Sequence, residues 1–135
     1  MHHLLRLQKR DYCLLVAEQA DHNFFNKALL MNAAFLESNK LGDFNCFIFH
    51  DVDMLPEVGE LLYSCDKQPI HLSPAVSKFY YNLNYGTDFG GVVAISKAQF
   101  QHVNGYRLVS NIDILVKGHY SFSQQAVTIK QLHFR

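Results

Sequence analysis

The chain has 135 residues, of which 49% are apolar and 18% are charged, and its 12 basic residues are balanced by 12 acidic ones. This is the composition of an ordinary globular protein with room for one core, not that of a disordered chain. The formal net charge of zero argues against nucleic acid or an anionic membrane as the main partner, and no apolar run approaches the roughly 20 residues of a membrane span or looks like a signal peptide.

The first half of the chain predicts a strand, a helix and a second strand. The apolar run from Asp11 to Gln19 is rich in strand formers and indicates a buried strand. Asn23 is a suitable cap for a helix that runs to about Ser38, with Gly42 as its stop. The run from Phe44 to Phe49 is apolar on both faces, which favours a strand of a parallel sheet covered by helices.

The second half predicts further strands around a short helix. Strands are expected at Ile70 to Val76 and at Phe89 to Ser96, and a short helix is expected from Lys97, ending at Asn104 and Gly105. Further on, two weaker strand patterns cover Ile112 to Val116 and His119 to Ser123. The alternation of strands and helices predicts an α/β fold with a mixed, mostly parallel sheet.

Two aspartates, Asp51 and Asp53, directly follow the second apolar run. Residues i and i+2 of a strand share a face, and ligands of open α/β sheets bind at the carboxyl ends of strands. Two carboxylates there would favour Mg²⁺ or Mn²⁺, ions that also bind phosphate oxygens, so the simplest ligand is a nucleotide. The alternative is a solvated turn, because Asp is common in turns and a lone DxD is a weak signal.

The cysteines leave two interpretations open. Cys46 and Cys65 flank the two aspartates, and a bridge between them would close a loop of about 20 residues, worth roughly 3 kcal/mol. The alternative, which spacing alone favours, is a pair of buried thiols in a reducing compartment. Cys13 lies in the first apolar run and is expected to belong to the core.

Several segments, taken together and in their order, resemble the beta-1,4-galactosyltransferase family. They are FNKALLMNAAF, FIFHDVDMLPE, LYSCDKQPIHLS, KFYYNLNYGTDFGGVVAISKAQF and VNGY. The resemblance runs from about His2 to Tyr106 and is much more specific than the two aspartates alone. It implies an A-type glycosyltransferase domain, which is a nucleotide-diphospho-sugar transferase fold, over residues 1–106, followed by a divergent tail over residues 107–135.

The resemblance also implies a reaction. Family members transfer galactose, or in some cases N-acetylgalactosamine, from the UDP-sugar to an acceptor that ends in N-acetylglucosamine, with inversion and with Mn²⁺. They are Golgi proteins with a membrane anchor and a lumenal catalytic domain. The expected partners are therefore UDP-galactose or UDP-N-acetylgalactosamine and a glycan acceptor.

Carried onto this sequence, the resemblance makes Asp53 the manganese ligand. It places Asp51 and Val52 beside the ribose and sugar of the donor. It also pairs Cys46 with Cys65, which reverses the preference for thiols and implies an oxidising lumen.

A second group of donor contacts is implied at Phe25, Asn26 and Lys27, which match a Phe-Asn-Arg motif of the family. Lys27 keeps the charge of the arginine but loses its planar fork, so a looser contact is expected. The alternative for Lys27 is a solvated helix residue.

A third group lies around the glycine pair Gly90 and Gly91, where missing side chains let the backbone approach a sugar closely. Asp88 occupies a family position that helps to choose the donor sugar, and an acid there fits neither the tyrosine nor the aliphatic pattern. His71 also matches a family position, but a core or edge histidine with a satisfied ring is the favoured interpretation.

The two ends of the chain depart from the family. The Pro-Phe-Arg-Asn-Arg motif that holds the uridine nucleotide is absent, and RLVSNIDILVKG replaces the Trp-Gly-Trp-Gly-Gly-Glu-Asp-Asp-Asp segment of the acceptor site and catalytic base. Asp113 is the nearest downstream acid, but nothing supports it as a base, and His119 and His133 do not match the later metal-binding segment. The sequence thus predicts a truncated member, either an enzyme or an inactive fragment that keeps part of the UDP-metal pocket, and predicts little turnover for this chain. An unrelated metal-dependent phosphohydrolase would share only the DxD feature.

Overall fold

The computed structural model describes residues 1–20, 24–83 and 85–107, together with the backbone of residues 127–132. The chain forms two compact units, of which the first comprises Met1–Tyr12 and Phe44–His102 and the second comprises Cys13–Asp43 and Val103–Arg135. Within the described ranges, no helix has the length and the apolar character that crossing a bilayer requires.

The elements follow one another in an order that mixes helices and strands. They are helix α1 (His2–Leu7), strand β1 (Leu14–Gln19), helix α2 (Lys27–Leu41), strand β2 (Cys46–His50), strand β3 (Ile70–His71), a 3₁₀ turn (Ser77–Phe79), strand β4 (Val92–Ser96), helix α3 (Lys97–His102) and strand β5 (Val127–Leu132).

The first unit is built on a three-stranded sheet in the order β2-β4-β3. Residues Val92 to Ile95 of the central strand β4 are all buried, as expected of a strand covered on both faces. The ring of Phe100 from α3 packs on Phe49 of β2 with centroids 4.9 Å apart. Leu4 and Leu5 of α1 add to the buried apolar residues of this unit.

The second unit pairs β1 with β5 and packs α2 on β1. The buried face of α2 carries Leu30, Ala33 and Phe35. Asn32 is buried on the same helix, and its amide both donates to the carbonyl oxygen of Tyr106 and accepts from its backbone nitrogen, each at 2.9 Å. These two bonds offset the cost of burying an amide.

The prediction of a mostly parallel sheet is wrong for the strands that the structure describes. β1 with β5, β2 with β4 and β3 with β4 all pair antiparallel. An apolar run on both faces reports that a strand is covered, and the same coverage arises for either direction of its neighbour. β2 lies at the edge of its described sheet.

Several element boundaries also differ from the prediction. α2 begins after Asn26, whose side-chain oxygen accepts from the backbone nitrogen of Leu29 at 3.0 Å, rather than after Asn23, which lies outside the described residues. β3 has only two residues, because after Leu72 the chain leaves the ladder for an irregular loop. The sequence did not predict α1 or β5, and the two weak strand patterns between residues 112 and 123 lie outside the described ranges. The boundary at residue 106 stays a prediction.

Candidate functional site

The antiparallel pairing of β2 with β4 brings the two aspartates to the glycine pair. His50, the last residue of β2, lies opposite Val92, the first residue of β4. The residue after the one strand therefore meets the residue before the other, and the backbone nitrogen of Asp51 donates to the carbonyl oxygen of Gly91 at 3.0 Å. Two segments some forty positions apart in the sequence thus form one edge of the first unit.

Asp51, Val52 and Asp53 form a turn rather than a continuation of the strand. The backbone nitrogen of Met54 donates to the carbonyl oxygen of Asp51 at 3.2 Å, which closes the turn. The expectation that the two carboxylates share a strand face is wrong, because β2 ends at His50 and the two-residue alternation ends with it. Val52 is 93% exposed and Asp53 is also exposed, whereas Asp51 is half-buried.

The chemistry of this turn fits a hard divalent cation that a ligand helps to hold. Among the described residues, no hydrogen bond or ion pair engages the Asp53 carboxylate, and carboxylate oxygens suit Mn²⁺ and Mg²⁺. No group of three or more His, Cys, Asp or Glu side chains in the described ranges could hold a metal ion together. Such ions are commonly bound by one or two carboxylates, and substrate phosphates and water complete the shell.

Gly91 has a conformation that requires glycine. Its φ is +72°, a left-handed value that side-chain-bearing residues rarely adopt, and a Cβ placed there would lie 2.5 Å from Ser73 Oγ and 3.0 Å from Met54 Cε. The backbone of Gly91 therefore lies close to Ser73, which follows β3, and to Met54 at the end of the aspartate turn.

The carbonyl oxygen of Gly90 accepts two hydrogen bonds from side chains. The Nε2 of His71 lies 2.9 Å from it and the hydroxyl of Ser73 lies 3.0 Å from it. Ser73 Oγ in turn accepts from the backbone nitrogen of Val92 at 2.8 Å. His71 lies in β3, an edge strand of the described sheet, as the interpretation of an edge histidine expected.

His50 holds the other side of the turn. Its Nδ1 lies 2.7 Å from the carbonyl oxygen of Asp51, and its Nε2 lies 3.1 Å from the hydroxyl of Tyr63. Because a carbonyl oxygen only accepts, Nδ1 carries the proton and Nε2 accepts from the tyrosine. Burial raises the pKa of the Tyr63 hydroxyl above its ordinary value.

Asp88 points back to the glycine pair. Its Oδ1 accepts from the backbone nitrogen of Gly90 at 3.2 Å, and its own nitrogen donates to the carbonyl oxygen of Tyr85 at 2.9 Å. This position beside Gly90 is the one that the resemblance connects with the choice of donor sugar.

An aromatic segment, Phe79 to Tyr81, precedes Asp88. Tyr80 and Tyr81 have φ values of +53° and +61°, and both side chains are exposed. The hydroxyl of Tyr81 donates to Glu57 Oε2 at 2.9 Å, and this hydrogen bond, together with the charge of Glu57, raises the pKa of the tyrosine. This hydrogen bond joins the loop after the aspartate turn to the aromatic segment.

Phe25, Asn26 and Lys27 belong to the second unit. Phe25 is 74% exposed, and Asn26 caps α2 through its side chain while its backbone nitrogen donates to Gln19 Oε1 at 3.0 Å. Lys27 is the half-buried first residue of α2. The side-chain oxygen of Asn26 therefore has a structural role in this unit.

Cys46 and Cys65 form a disulfide, with their Cα atoms 5.6 Å apart. The bridge closes the segment that carries the aspartate turn and Tyr63. Cys13 is a half-buried free thiol just before β1.

Sequence reasoning missed Ser73, His50 and Tyr63 as parts of this edge. All three act through backbone carbonyls or through one another, and such contacts leave no motif in the sequence. One signal was present: Ser73 is two residues beyond His71, as in a strand whose alternate residues face the same neighbour.

Comparison with known proteins places the chain among glycosyltransferases. The family model of the N-terminal region of glycosyl transferase group 7 matches residues 1–66, and that of the N-terminal domain of galactosyltransferase matches residues 70–109. Beta-1,4-galactosyltransferase 1 of Bos taurus is 44% identical over 106 residues, which are 78% of this chain and 26% of the relative.

Two further relatives match a similar share of this chain. Beta-N-acetyl-D-glucosaminide beta-1,4-N-acetylglucosaminyl-transferase of Lymnaea stagnalis is 45% identical over 76% of this chain and 21% of its own length. Beta-1,4-galactosyltransferase 4 of Homo sapiens is 43% identical over 78% of this chain and 31% of its own length. The chain thus spans between a fifth and a third of the relatives that it matches. It belongs to the beta-1,4-galactosyltransferase family.

Proposed function

We propose that this chain forms part of the donor site of a glycosyltransferase with an A-type fold, which transfers galactose from UDP-galactose to an acceptor ending in N-acetylglucosamine, with Mn²⁺ and with inversion. The observation that carries the proposal is the pairing of the aspartate turn with the glycine pair through the Asp51–Gly91 hydrogen bond. An exposed carboxylate and a backbone without side chains then lie at one edge, as a charged diphosphate next to a sugar requires.

Each residue of this edge has a role in the proposed site. Asp53 would hold the ion, with Asp51 and Val52 beside the ribose and sugar, and Gly90 and Gly91 would let the sugar approach the backbone. The ion, when bound, would offset the negative charge of the departing diphosphate. Phe25, Asn26 and Lys27 stay donor contacts that the resemblance implies.

The proposed donor sugar is galactose. Two of the relatives named above are galactosyltransferases, and one is a beta-1,4-N-acetylglucosaminyl-transferase. Asp88 accepts a hydrogen bond from the Gly90 nitrogen, and an acid at this position matches neither family pattern. UDP-N-acetylgalactosamine therefore stays an alternative donor.

The disulfide supports a place in the secretory pathway. Structural disulfides persist in oxidising compartments and are rare in the cytosol, and the Cys46–Cys65 bridge closes the segment that carries the aspartate turn. We accordingly propose that the protein resides in the Golgi lumen or membrane, as the resemblance implies.

Isothermal titration calorimetry of the whole chain tests the proposed donor site. UDP, UDP-galactose, UDP-N-acetylgalactosamine and UDP-N-acetylglucosamine are each titrated with and without Mn²⁺. We expect binding of UDP to depend on Mn²⁺ and UDP-galactose to bind more tightly than the other two sugars. Equal affinity for UDP with and without the ion, or no binding in either case, would contradict the proposal.

A further inference from the structure

The Gly90 carbonyl oxygen is oriented by two side chains rather than by a backbone hydrogen bond of the sheet. A carbonyl oxygen has two lone pairs, and both are used here, by His71 Nε2 at 2.9 Å and by Ser73 Oγ at 3.0 Å. Neither donor is a backbone group, so the orientation of this peptide is set by two side chains. The proton of the His71 ring therefore lies on Nε2.

Fixing the Gly90 carbonyl also fixes the peptide that leads into Gly91. Rotation of that peptide would change the φ of Gly91 away from +72°. Ser73 Oγ prevents such a rotation from two sides, because it donates to the Gly90 oxygen and accepts from the nitrogen of Val92 at 2.8 Å. One hydroxyl thus spans the glycine pair.

The fixed peptide is coupled to the aspartate turn. The carbonyl oxygen of Gly91 accepts from the nitrogen of Asp51 at 3.0 Å, and Asp51 begins the turn that presents Asp53. Met54, at the end of the turn, places its Cε 3.0 Å from the position of a Cβ on Gly91. A change at Ser73 therefore reaches the turn through the hydrogen bond between Gly91 and Asp51.

We propose that Ser73, assisted by His71, is a positioning residue of the donor site. It holds the backbone of Gly90 and Gly91 against the aspartate turn at the distance that lets a donor sugar pack on the glycine pair. This inference rests on the proposed function. Ser73 acts on the sugar end of the donor more than on the diphosphate end, because its partners Gly90 and Val92 flank Gly91.

Four variants of the full chain separate positioning from general stability. Ser73→Ala removes the hydroxyl, and Ser77→Ala is the matched control, since Ser77 is exposed and its side chain caps no helix in the described residues. His71→Leu removes the ring donor, whereas His71→Gln restores an N–H donor of similar reach. Thermal unfolding of each variant confirms that it is folded.

The first readout is hydrogen exchange at the Asp51 amide, which needs no ligand. Ser73→Ala should raise the exchange rate of this amide about tenfold, as expected for the loss of one hydrogen bond of ordinary strength. Ser77→Ala should leave the rate unchanged. An unchanged rate in Ser73→Ala would overturn the inference whether or not the chain binds nucleotide.

The second readout is the ratio of the affinities for UDP-galactose and for UDP, both with Mn²⁺. We expect this ratio to fall on the order of tenfold in Ser73→Ala and His71→Leu and to recover in His71→Gln. Equal losses for UDP and UDP-galactose would show a merely structural role and overturn the inference. Failure of the unaltered chain to bind UDP would instead overturn the proposed function, and the donor role of Ser73 with it.

Discussion

At the scale of single residues, the candidate site is organised by two backbone carbonyls, each of which accepts a hydrogen bond from a histidine ring. Asp51 O accepts from His50 and from Met54, and Gly90 O accepts from His71 and Ser73. Asp51 and Gly91, the neighbour of Gly90 in the chain, form the hydrogen bond that joins the aspartate turn to the glycine pair. The turn therefore keeps a defined shape although Val52 and Asp53 are exposed.

Tyr63→Phe tests the outer support of this turn through pH. Burial raises the pKa of Tyr63 in the folded chain, so its contribution to stability is fully present below the ordinary value of about 10 and is lost as the pH rises toward the raised value. The variant should lose about 0.5–1.5 kcal/mol at neutral pH, from the bond to His50. Its stability should also fall less between pH 9 and about 11 than that of the unaltered chain.

The measurement is urea unfolding at several pH values, with Tyr85→Phe as the control because that side chain is exposed. Tyr81 also has a raised pKa, and its contribution cancels because it is present in both chains being compared. A slope of stability against pH that is the same with and without the Tyr63 hydroxyl would refute this assignment.

Gly91→Ala tests the left-handed glycine. Strain at φ +72° and the contact of a Cβ with Ser73 Oγ should together destabilise the chain by about 1–3 kcal/mol. Gly59→Ala is the control, since nothing lies within 4 Å of a Cβ there, and it should change stability by less than about 1 kcal/mol. Chemical unfolding of both variants provides the comparison, and an equal effect of the two changes would contradict the geometry of the glycine pair.

At the scale of elements, the sequence predicts where most strands lie but not how they pair. The strands β1, β2 and β4 were each expected within three residues of their observed start, although β4 is mostly buried, β2 has one buried residue and β1 has none. Direction is decided by connections and by long-range contacts, which no local pattern records, so the antiparallel pairing that brings Asp51 to Gly91 could not be foreseen. The glycine pair and the aspartates were found through the family resemblance, whereas Ser73 and His50 act through backbone atoms and were missed.

Asn26→Ala tests the start of α2, which the sequence placed three residues too early. Removing the side-chain oxygen leaves the nitrogen of Leu29 without its cap and should cost about 1 kcal/mol. Asn26→Asp keeps an acceptor and should retain most of the stability, and Asn45→Ala, at an exposed position, is the matched control. Thermal unfolding that ranks Asn26→Ala with Asn45→Ala would show that this cap is unimportant.

At the scale of the whole molecule, one disulfide closes the segment that carries the aspartate turn. The Cys46–Cys65 bridge joins the start of β2 to the segment just before β3. It encloses the turn, and Tyr63 lies two residues before its second cysteine. The choice between disulfide and thiols could not be made from spacing; the resemblance suggested the bridge, and the structure confirms it.

The pairing of the cysteines can be mapped directly. Chain produced in an oxidising compartment and digested without reductant should yield a Cys46–Cys65 linked peptide and a free Cys13. Replacing both bridged cysteines by serine should lower stability by roughly 3 kcal/mol, the value for a loop of about 20 residues. A bridge that involves Cys13, or three free thiols, would contradict the pairing.

The most direct measurement of the central claim is Mn²⁺-dependent binding of UDP by Asp53→Ala. Asp66→Ala is the matched control, because Asp66 is also exposed in the first unit and its carboxylate accepts only from the adjacent nitrogen of Lys67 among the described residues. We predict that Asp53→Ala abolishes the Mn²⁺-dependent part of the calorimetric affinity, that Asp51→Ala weakens it less, and that Asp66→Ala leaves it intact. Mn²⁺-dependent UDP binding that survives in Asp53→Ala at the strength of the Asp66→Ala control would contradict the account.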